Sequence, residues 1–408
     1  MSGILFLAHR VPFPPDRGDK IRSHHVLRAL TGLGPVHVGC FAESAADRDA
    51  ERDLARLAAS WCMPTRSKPL PLAGGEALLR HEPVSLAAFR HPALAKWVRR
   101  TIEREKIDVI YVFSGQMGQY VPDDWQGRLL VDLVDVDSAK FEAYARDKRP
   151  PMRWIDTREA RLLRREEARL AARADRTLLV TEAEAALFRE RLPAGTNARV
   201  AVLGNGVDAD LFDPARVQPH PDLVGPGPHF TFTGQMDYKP NVDAALCAIE
   251  RIMPRIRAVH PGAQFHVVGR APAPELLTHD GANGTRVWGE VADVRPFLAG
   301  AAIVMAPLSI ARGVQNKVLE AMAMARPVLV TGAAATGIVA RDGEHLAIAD
   351  SGAQMAARAL DLLTKPEEAA RMGGAARRLV LETMSWPATL TALPQLIGRE
   401  PTGRRDAA

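Results

Sequence analysis

A chain of 408 residues is longer than one hydrophobic core usually supports, so the sequence predicts two domains. Hydrophobic residues make up 47% and charged residues 25%, which excludes a disordered or fibrous protein. The net charge of +5 comes mostly from arginine, since only nine of the 53 basic residues are lysine, and acidic residues are interleaved with them. No basic and aromatic residues alternate, so nucleic acid is not an expected partner, while a weak attraction to an anionic membrane surface stays open.

Metal, disulfide and targeting signals are missing from the sequence. Its three cysteines form no CxxC pair, so neither a disulfide framework nor a cysteine zinc site is expected, and no histidines show ligand spacing. The apolar run at residues 1–8 lacks a basic segment and leads into prolines, which favours a strand over a signal peptide. No apolar stretch is long enough to span a membrane. We expect a cytoplasmic protein, at most peripheral at the inner face of the membrane.

Short apolar runs separated by helix-compatible stretches organise the first half of the chain. Residues 4–8 form such a run, residues 16–19 interrupt it, and residues 21–33 have helical spacing. Continuous apolar runs suit parallel strands that are covered on both faces. Further strands are predicted over residues 36–41, 109–113, 129–134, 177–180 and 200–203, and the longest helix over residues 152–173.

Residues 212–228 contain five prolines and two glycines, which predicts a linker. The strand and helix pattern then resumes, with strands over 230–233, 265–268, 287–288, 303–306 and 328–330 and helices over 242–259, 294–299 and 315–325. Such alternation predicts an α/β protein with two Rossmann-like, doubly wound parallel sheets. The predicted domains cover residues 1–211 and 229–383, followed by a closing helix over 384–400 and a frayed tail over 401–408.

The most informative pattern is a strand end, a segment containing Gly313, and a helix that begins near Asn316. Free backbone N–H groups at such a helix start form an anion site at the carboxyl edge of a parallel sheet. One helix terminus contributes only about 0.3–1 kcal/mol toward an anion, so Arg312 and Lys317 are expected to add positive charge. Glu320 could accept hydrogen bonds from the two hydroxyls of a ribose. An ordinary buried helix face with a solvated Glu320 is the alternative.

Asp16, Gly18, Asp19 and Lys20 follow the first predicted strand. A glycine there lets the backbone approach a ligand, and Lys20 could meet an anion. The residues therefore predict part of a cleft, with a plain strand-to-helix turn as the alternative.

Asp132, Asp135 and Asp137 lie at the end of another predicted strand and suggest a metal site. Alternate strand residues point to opposite faces, so Asp135 and Asp137 share a face and Asp132 does not. From the residues alone, a metal site and a structural role both remain open.

Several segments together resemble glycosyltransferases of the GT-B fold, specifically the large retaining family 4. Residues 319–328 are similar to that family's nucleotide-sugar site, and residues 204–208 to its turn before the linker. The other similar segments are residues 174–182, 232–234, 239–241 and 385–386. The resemblance implies two Rossmann-like domains facing a cleft, and transfer of a sugar from a nucleoside-diphosphate sugar to a glycan or lipid-linked acceptor. More narrowly, residues 12–20 and 131–138 resemble sugar transferases of exosortase/PEP-CTERM exopolysaccharide systems.

The chain departs from this family at two positions. Arg312 stands where the family has the first glutamate of an acidic pair. Gln235 stands where the family commonly has a basic residue, directly after the glycine that corresponds to Gly234. Lys239 could replace the missing cation. The expected catalytic residues are Lys317, Glu320 and, as a replacement cation, Arg312. The expected donor-binding residues are Gly234, Gln235, Lys239, Gly313, Asn316, Lys317 and Glu320. The resemblance implies neither a bound metal nor a cofactor, so an acceptor-binding or structural role is expected for the aspartates at 132–137, with Asp135 as the candidate for contact with an acceptor hydroxyl.

Other functions remain as alternatives. A nucleotide-sugar epimerase shares the architecture but needs an acid/base pair that the sequence does not clearly offer. An oxidoreductase would need a GxGxxG turn after a strand, and neither half has one. A non-catalytic accessory domain at a membrane surface is suggested by the Arg-rich helix over residues 153–176.

Overall fold

The computed structural model describes residues 2–311 and 313–399. The chain forms two compact units, one made of Met1–Asn205 with Thr389–Ala408 and the other of Gly206–Ala388. Arg312 and the tail predicted over 401–408 lie outside the described residues. No helix in the described ranges is long and apolar enough to cross a membrane.

The first unit is built on a seven-stranded sheet in which every pairing is parallel. The strand order is β3-β2-β1-β4-β5-β6-β7. The central strands carry the longest apolar runs because helices cover both faces of a doubly wound sheet. The strands are β1 Gly3–Ala8, β2 Val36–Gly39, β3 Ser60–Cys62, β4 Ile107–Phe113, β5 Arg128–Val134, β6 Arg176–Leu179 and β7 Val200–Val202.

Nine α-helices connect these strands within the described residues. Amphipathic spacing buries one side of each longer helix against the sheet. The helices are α1 Gly18–Thr31, α2 Ala45–Asp49, α3 Glu51–Ala55, α4 Leu70–Arg80, α5 Val84–Ala88, α6 Pro92–Arg104, α7 Asp137–Asp147, α8 Met152–Arg173 and α9 Glu182–Arg191.

The second unit is built on a six-stranded parallel sheet with the order β10-β9-β8-β11-β12-β13. Its strands are β8 His229–Thr233, β9 Gln264–Val268, β10 Thr285–Gly289, β11 Ile303–Ala306, β12 Val328–Val330 and β13 Ala347–Ile348. Its helices are α10 Lys239–Cys247, α11 Met253–Arg257, α12 Pro274–Leu277, α13 Arg295–Gly300, α14 Asn316–Ala323, α15 Gly352–Thr364 and α16 Pro366–Leu379. A π-helical turn, Ala248–Ile252, joins α10 to α11. The predicted fold of two parallel-sheet α/β domains is confirmed.

The last described segment returns to the first unit. After α17 Trp386–Thr389, helix α18 Leu393–Ile397 ends beside β5, where the Arg128 guanidinium donates to the Leu396 carbonyl at 3.0 Å. Arg399 donates to the carbonyls of Leu33 and Ser2. The residues predicted as a linker, 212–228, lie in the second unit and contain two short 3-10 turns.

Candidate functional site

The carboxyl edge of the second sheet collects the loops that follow β8, β9 and β11. Because all strands of this sheet are parallel, these loops meet at one edge together with the start of α14. This edge brings together Gly234, Gln235, Asn241, Lys317 and Arg270.

Two glycines allow the loops to approach closely. The Gly234 amide donates to the Val268 carbonyl at 3.0 Å. A Cβ at Gly269 would overlap the Gly234 carbonyl oxygen, and a Cβ at Gly234 would lie 2.9 Å from the Lys317 ammonium. Both positions therefore require glycine for this packing.

Lys317 is held in one place by groups from two neighbouring elements. Its ammonium donates to Asn241 Oδ1 at 2.6 Å and lies 4.6 Å from the centroid of the Phe232 ring. Asn241 in turn donates to the Gln235 carbonyl at 2.9 Å. Burial lowers the pKa of Lys317 to about 8, and the nearby Glu320 carboxylate counteracts the shift. A fixed cation thus stands beside the glycine loop at near-neutral pH.

Glu320 lies one turn further along α14 and is short of hydrogen-bond donors. Its carboxylate accepts no hydrogen bond from the residues that the structure describes. Burial raises the pKa of Glu320 to about 7, against the opposing effect of the Lys317 charge. The carboxylate is therefore free to accept hydrogen bonds from hydroxyl groups of a ligand.

The start of α14 leaves donors free, as the sequence predicts. Within the described chain, the backbone N–H groups of Asn316 and Lys317 donate to no other residue, and Gln315 provides no side-chain cap. Gly313 has a φ of 66°, a conformation that glycine adopts without strain. Arg312, the expected second cation, lies outside the described residues.

The remaining predicted donor residues lie on the rim of this edge. Lys239, the first residue of α10, is exposed and forms an ion pair with Asp243. Gln235 accepts a hydrogen bond from Arg270 at 3.0 Å. Sequence reasoning missed Arg270 and Asn241. The signal for Arg270 was a basic residue directly after a glycine at the end of a strand.

In the first unit, Lys20 is buried and already has an anionic partner. Its ammonium donates to Asp47 Oδ1 at 2.6 Å and to the Phe13 carbonyl at 3.2 Å. Asp16 lies 4.0 Å away and, like Gly18, is exposed. The charge of Lys20, expected to meet an anion, is balanced inside the protein.

Asp19 occupies the first turn of α1, next to two arginines and a histidine. It lies 2.5 Å from Arg10, 2.9 Å from Arg17 and 3.1 Å from His9. Although burial alone would raise the pKa of Asp19, hydrogen bonds from His9 and Arg10 hold it well below its ordinary value. Asp19 is therefore a permanent carboxylate at the carboxyl end of β1.

Asp132, Asp135 and Asp137 do not form a single cluster of carboxylates. Asp132 is fully buried, where Arg22 contacts both of its oxygens and the Tyr111 hydroxyl donates to Oδ2 at 2.8 Å. Asp135 and Asp137 both contact Lys140, at 2.8 and 3.2 Å. No group of three His, Cys, Asp or Glu side chains among the described residues could hold a metal ion.

Residues 227–365 match the family model described as glycosyl transferases group 1. No curated protein sequence matches the chain.

Solved structures resemble the described chain over nearly its whole length. Sucrose-phosphate synthase from Thermosynechococcus elongatus is 15% identical, covers 97% of this chain and 98% of its own, and has a TM-score of 0.62. Anabaena Alr3699/HepE, solved in complex with UDP and glucose, is 15% identical with 98% and 100% covered and a TM-score of 0.61. WaaG, a glycosyltransferase involved in lipopolysaccharide biosynthesis, is 15% identical with 97% and 100% covered and a TM-score of 0.60. At this identity the likeness shows the fold, which is GT-B.

Proposed function

Because this protein has the GT-B fold and its residues 227–365 match the group 1 glycosyl transferases, it is a glycosyltransferase, and we propose that it is a retaining one. It would move a sugar from a nucleoside-diphosphate sugar to a glycan or lipid-linked acceptor in bacterial exopolysaccharide biosynthesis. We place this activity in the cytoplasm, peripheral at the inner face of the membrane.

The observation that carries the proposal is the placement of Lys317 and Glu320 one turn apart at the uncapped start of α14. A diphosphate needs fixed positive charge and free N–H donors, which Lys317 and the amides of Asn316 and Lys317 offer. The vicinal hydroxyls of a ribose need a carboxylate with free acceptors, and Glu320 has them. The diphosphate and the ribose of a nucleoside diphosphate thus have complementary groups on this chain, one helical turn apart.

The proposed reaction requires no separate nucleophile from the chain. The bond between the anomeric carbon and the β-phosphate oxygen breaks, and a bond from that carbon to the acceptor oxygen forms on the same face. The acceptor's hydroxyl proton passes to the departing β-phosphate oxygen. Lys317 stabilises the negative charge that develops on the leaving diphosphate, and Lys239 and Arg312 are proposed to add further positive charge.

Similar structures support a nucleoside-diphosphate donor. HepE was solved with UDP, with UDP and glucose, and with UDP-glucose. A mutant of TarM from S. aureus was solved with UDP among its ligands. We therefore propose uracil as the first base to test.

The acceptor side is proposed to lie in the first unit, around the exposed Asp16 and Gly18 and the carboxylates of Asp19 and Asp135. Asp19 keeps its negative charge, and Asp135 is partly exposed beside Lys140. Both carboxylates could accept a hydrogen bond from an acceptor hydroxyl. Lys20 would support this loop through Asp47 without contacting the acceptor.

The first experiment is thermal unfolding of the purified protein with a panel of nucleoside diphosphates. We expect one diphosphate to raise the melting temperature of the wild type and of Glu367→Gln, whose glutamate is exposed on α16, and to leave Glu320→Gln unchanged. Equal stabilisation of Glu320→Gln would contradict the assignment of the ribose site. No stabilisation by any diphosphate would favour the non-catalytic accessory role.

A second assay separates transfer from epimerisation. Incubation of the enzyme with the matching nucleotide sugar and a crude glycan acceptor should release free nucleoside diphosphate in step with sugar incorporation. Conversion of the donor to an isomeric nucleotide sugar without release of diphosphate would support the epimerase alternative.

A further inference from the structure

Two segments of the first unit expose large apolar side chains. Four leucines of α4 are 62–85% exposed, and Trp154 near the start of α8 is 68% exposed. Burial of such side chains in an apolar environment is favourable, so their exposure indicates a surface with a binding partner. The exposed apolar residues of α4 and α8, together with Tyr144 of α7, are Leu70, Leu72, Leu78, Leu79, Tyr144, Met152, Trp154 and Ile155; we call them the α4–α8 surface.

Hydrogen bonds join the two segments. Arg158 of α8 donates to the carbonyls of Ala77, at 2.8 Å, and Glu82, at 3.2 Å. Glu159 accepts from the Val84 amide at 2.7 Å. Trp154 lies one turn before Arg158 on the same side of α8, and residues 78–79 directly follow Ala77. The hydrogen bonds therefore hold the C-terminal end of α4 next to the first turns of α8.

Positive charge borders this surface. Residues 144–155 contain four basic residues against one acidic residue. The guanidinium groups of Arg149 and Arg153 are exposed and make no hydrogen bond or ion pair with any described residue. Lys148 lies 2.7 Å from the buried Asp156 and so has a partner inside the unit. The two free arginines sit beside the exposed Trp154.

We propose that the α4–α8 surface docks on an anionic lipid bilayer. Leucine and tryptophan side chains next to unpaired arginines have the composition of a segment that lies in the interface of a membrane. An anionic lipid headgroup complements Arg149 and Arg153, whereas a second copy of this chain would present the same positive charge. The inference rests on the proposed function for the peripheral membrane location and deepens it by naming the surface that binds, which lies in the first unit and needs no donor binding.

The test is co-sedimentation of the full chain with vesicles. Vesicles of phosphatidylcholine with about 30% phosphatidylglycerol should retain the wild type, and retention should fall in high salt. The double variant Leu79→Glu, Trp154→Glu should bind at least tenfold more weakly. Val259→Glu, which changes a valine 60% exposed in the second unit, should bind like the wild type. Arg149→Gln should weaken binding about fivefold.

Three outcomes would overturn the proposal. The wild type could fail to sediment with the anionic vesicles, or the double variant could bind as well as the wild type. Light scattering could also show a dimer that only the double variant dissociates, which would assign the surface to a second copy. Circular dichroism and diphosphate-induced stabilisation of the double variant, both expected to match the wild type, separate this result from misfolding and from failure of the donor site.

Discussion

Donor affinity should depend on pH through Glu320. With a pKa of about 7 in the free protein, its ionised fraction falls from about three quarters at pH 7.5 to about 3% at pH 5.5. If only the carboxylate accepts the ribose hydroxyls, affinity falls about 25-fold over this range, or about 1.9 kcal/mol. Lys317, with a pKa of about 8, becomes only about 1.3-fold more protonated over the same range, so it opposes the change only slightly.

The measurement is calorimetric titration with a nucleotide sugar, whose diphosphate does not change charge over this range. Glu320→Gln should bind with nearly constant affinity from pH 5.5 to 7.5 and should match the wild type most closely at pH 5.5. Glu367→Gln should keep the full wild-type dependence. Constant wild-type affinity, or the same slope in Glu320→Gln, would refute the reasoning.

Three further predictions concern packing and stability. Gly234→Ala should lower donor affinity at least tenfold in the same titration, because its Cβ would displace the Lys317 ammonium; unchanged affinity would contradict this. Arg22→Met should lower the free energy of unfolding by about 3–5 kcal/mol in urea, since it leaves Asp132 buried without its partner, and adding Asp132→Leu should recover part of the loss. Burial lowers the pKa of His266 to about 4, below its ordinary value, so its neutral form stabilises the fold above about pH 6.5 and this contribution is lost as the pH falls toward 4. In denaturation measured at several pH values, His266→Gln should lose less stability than the wild type between pH 6.5 and 4. An equal loss in the variant would rule out this histidine as its source.

The apolar pattern was sufficient to predict most strands of both sheets, including the edge strands β7 and β10, but not the edge strands β3 and β13. Strands β11 and β12 and helix α8 appear at the predicted residues because each has a continuous or periodic apolar pattern. The edge strands β3 and β13 have only three and two residues, and their backbone pairing to β2 and β12 defines them. Pairing of this kind depends on tertiary contact, which a local pattern does not contain.

In the candidate site, too, the sequence could predict local backbone features but not the distant partners of side chains. The free amides at the start of α14 follow from a local rule, so they could be predicted. The pairing of Lys20 with Asp47 joins α1 to α2 across 27 positions, and nothing near Lys20 in the sequence indicates it. Asn241 reaches Lys317 across 76 positions. A lysine available for ligand therefore cannot be told from a lysine used inside the fold until the distant partner is known.

The contacts of Arg22 have a consequence for sequence variation. Besides Asp132, its guanidinium donates to the carbonyls of Leu203 and Gly204 and to the side chain of Asn205. Two of these three acceptors are backbone atoms, which every amino acid supplies. The residues at 203 and 204 can therefore change identity over evolution while their carbonyls keep these two hydrogen bonds. Insertion or deletion of one residue there would instead shift both carbonyls away from Arg22.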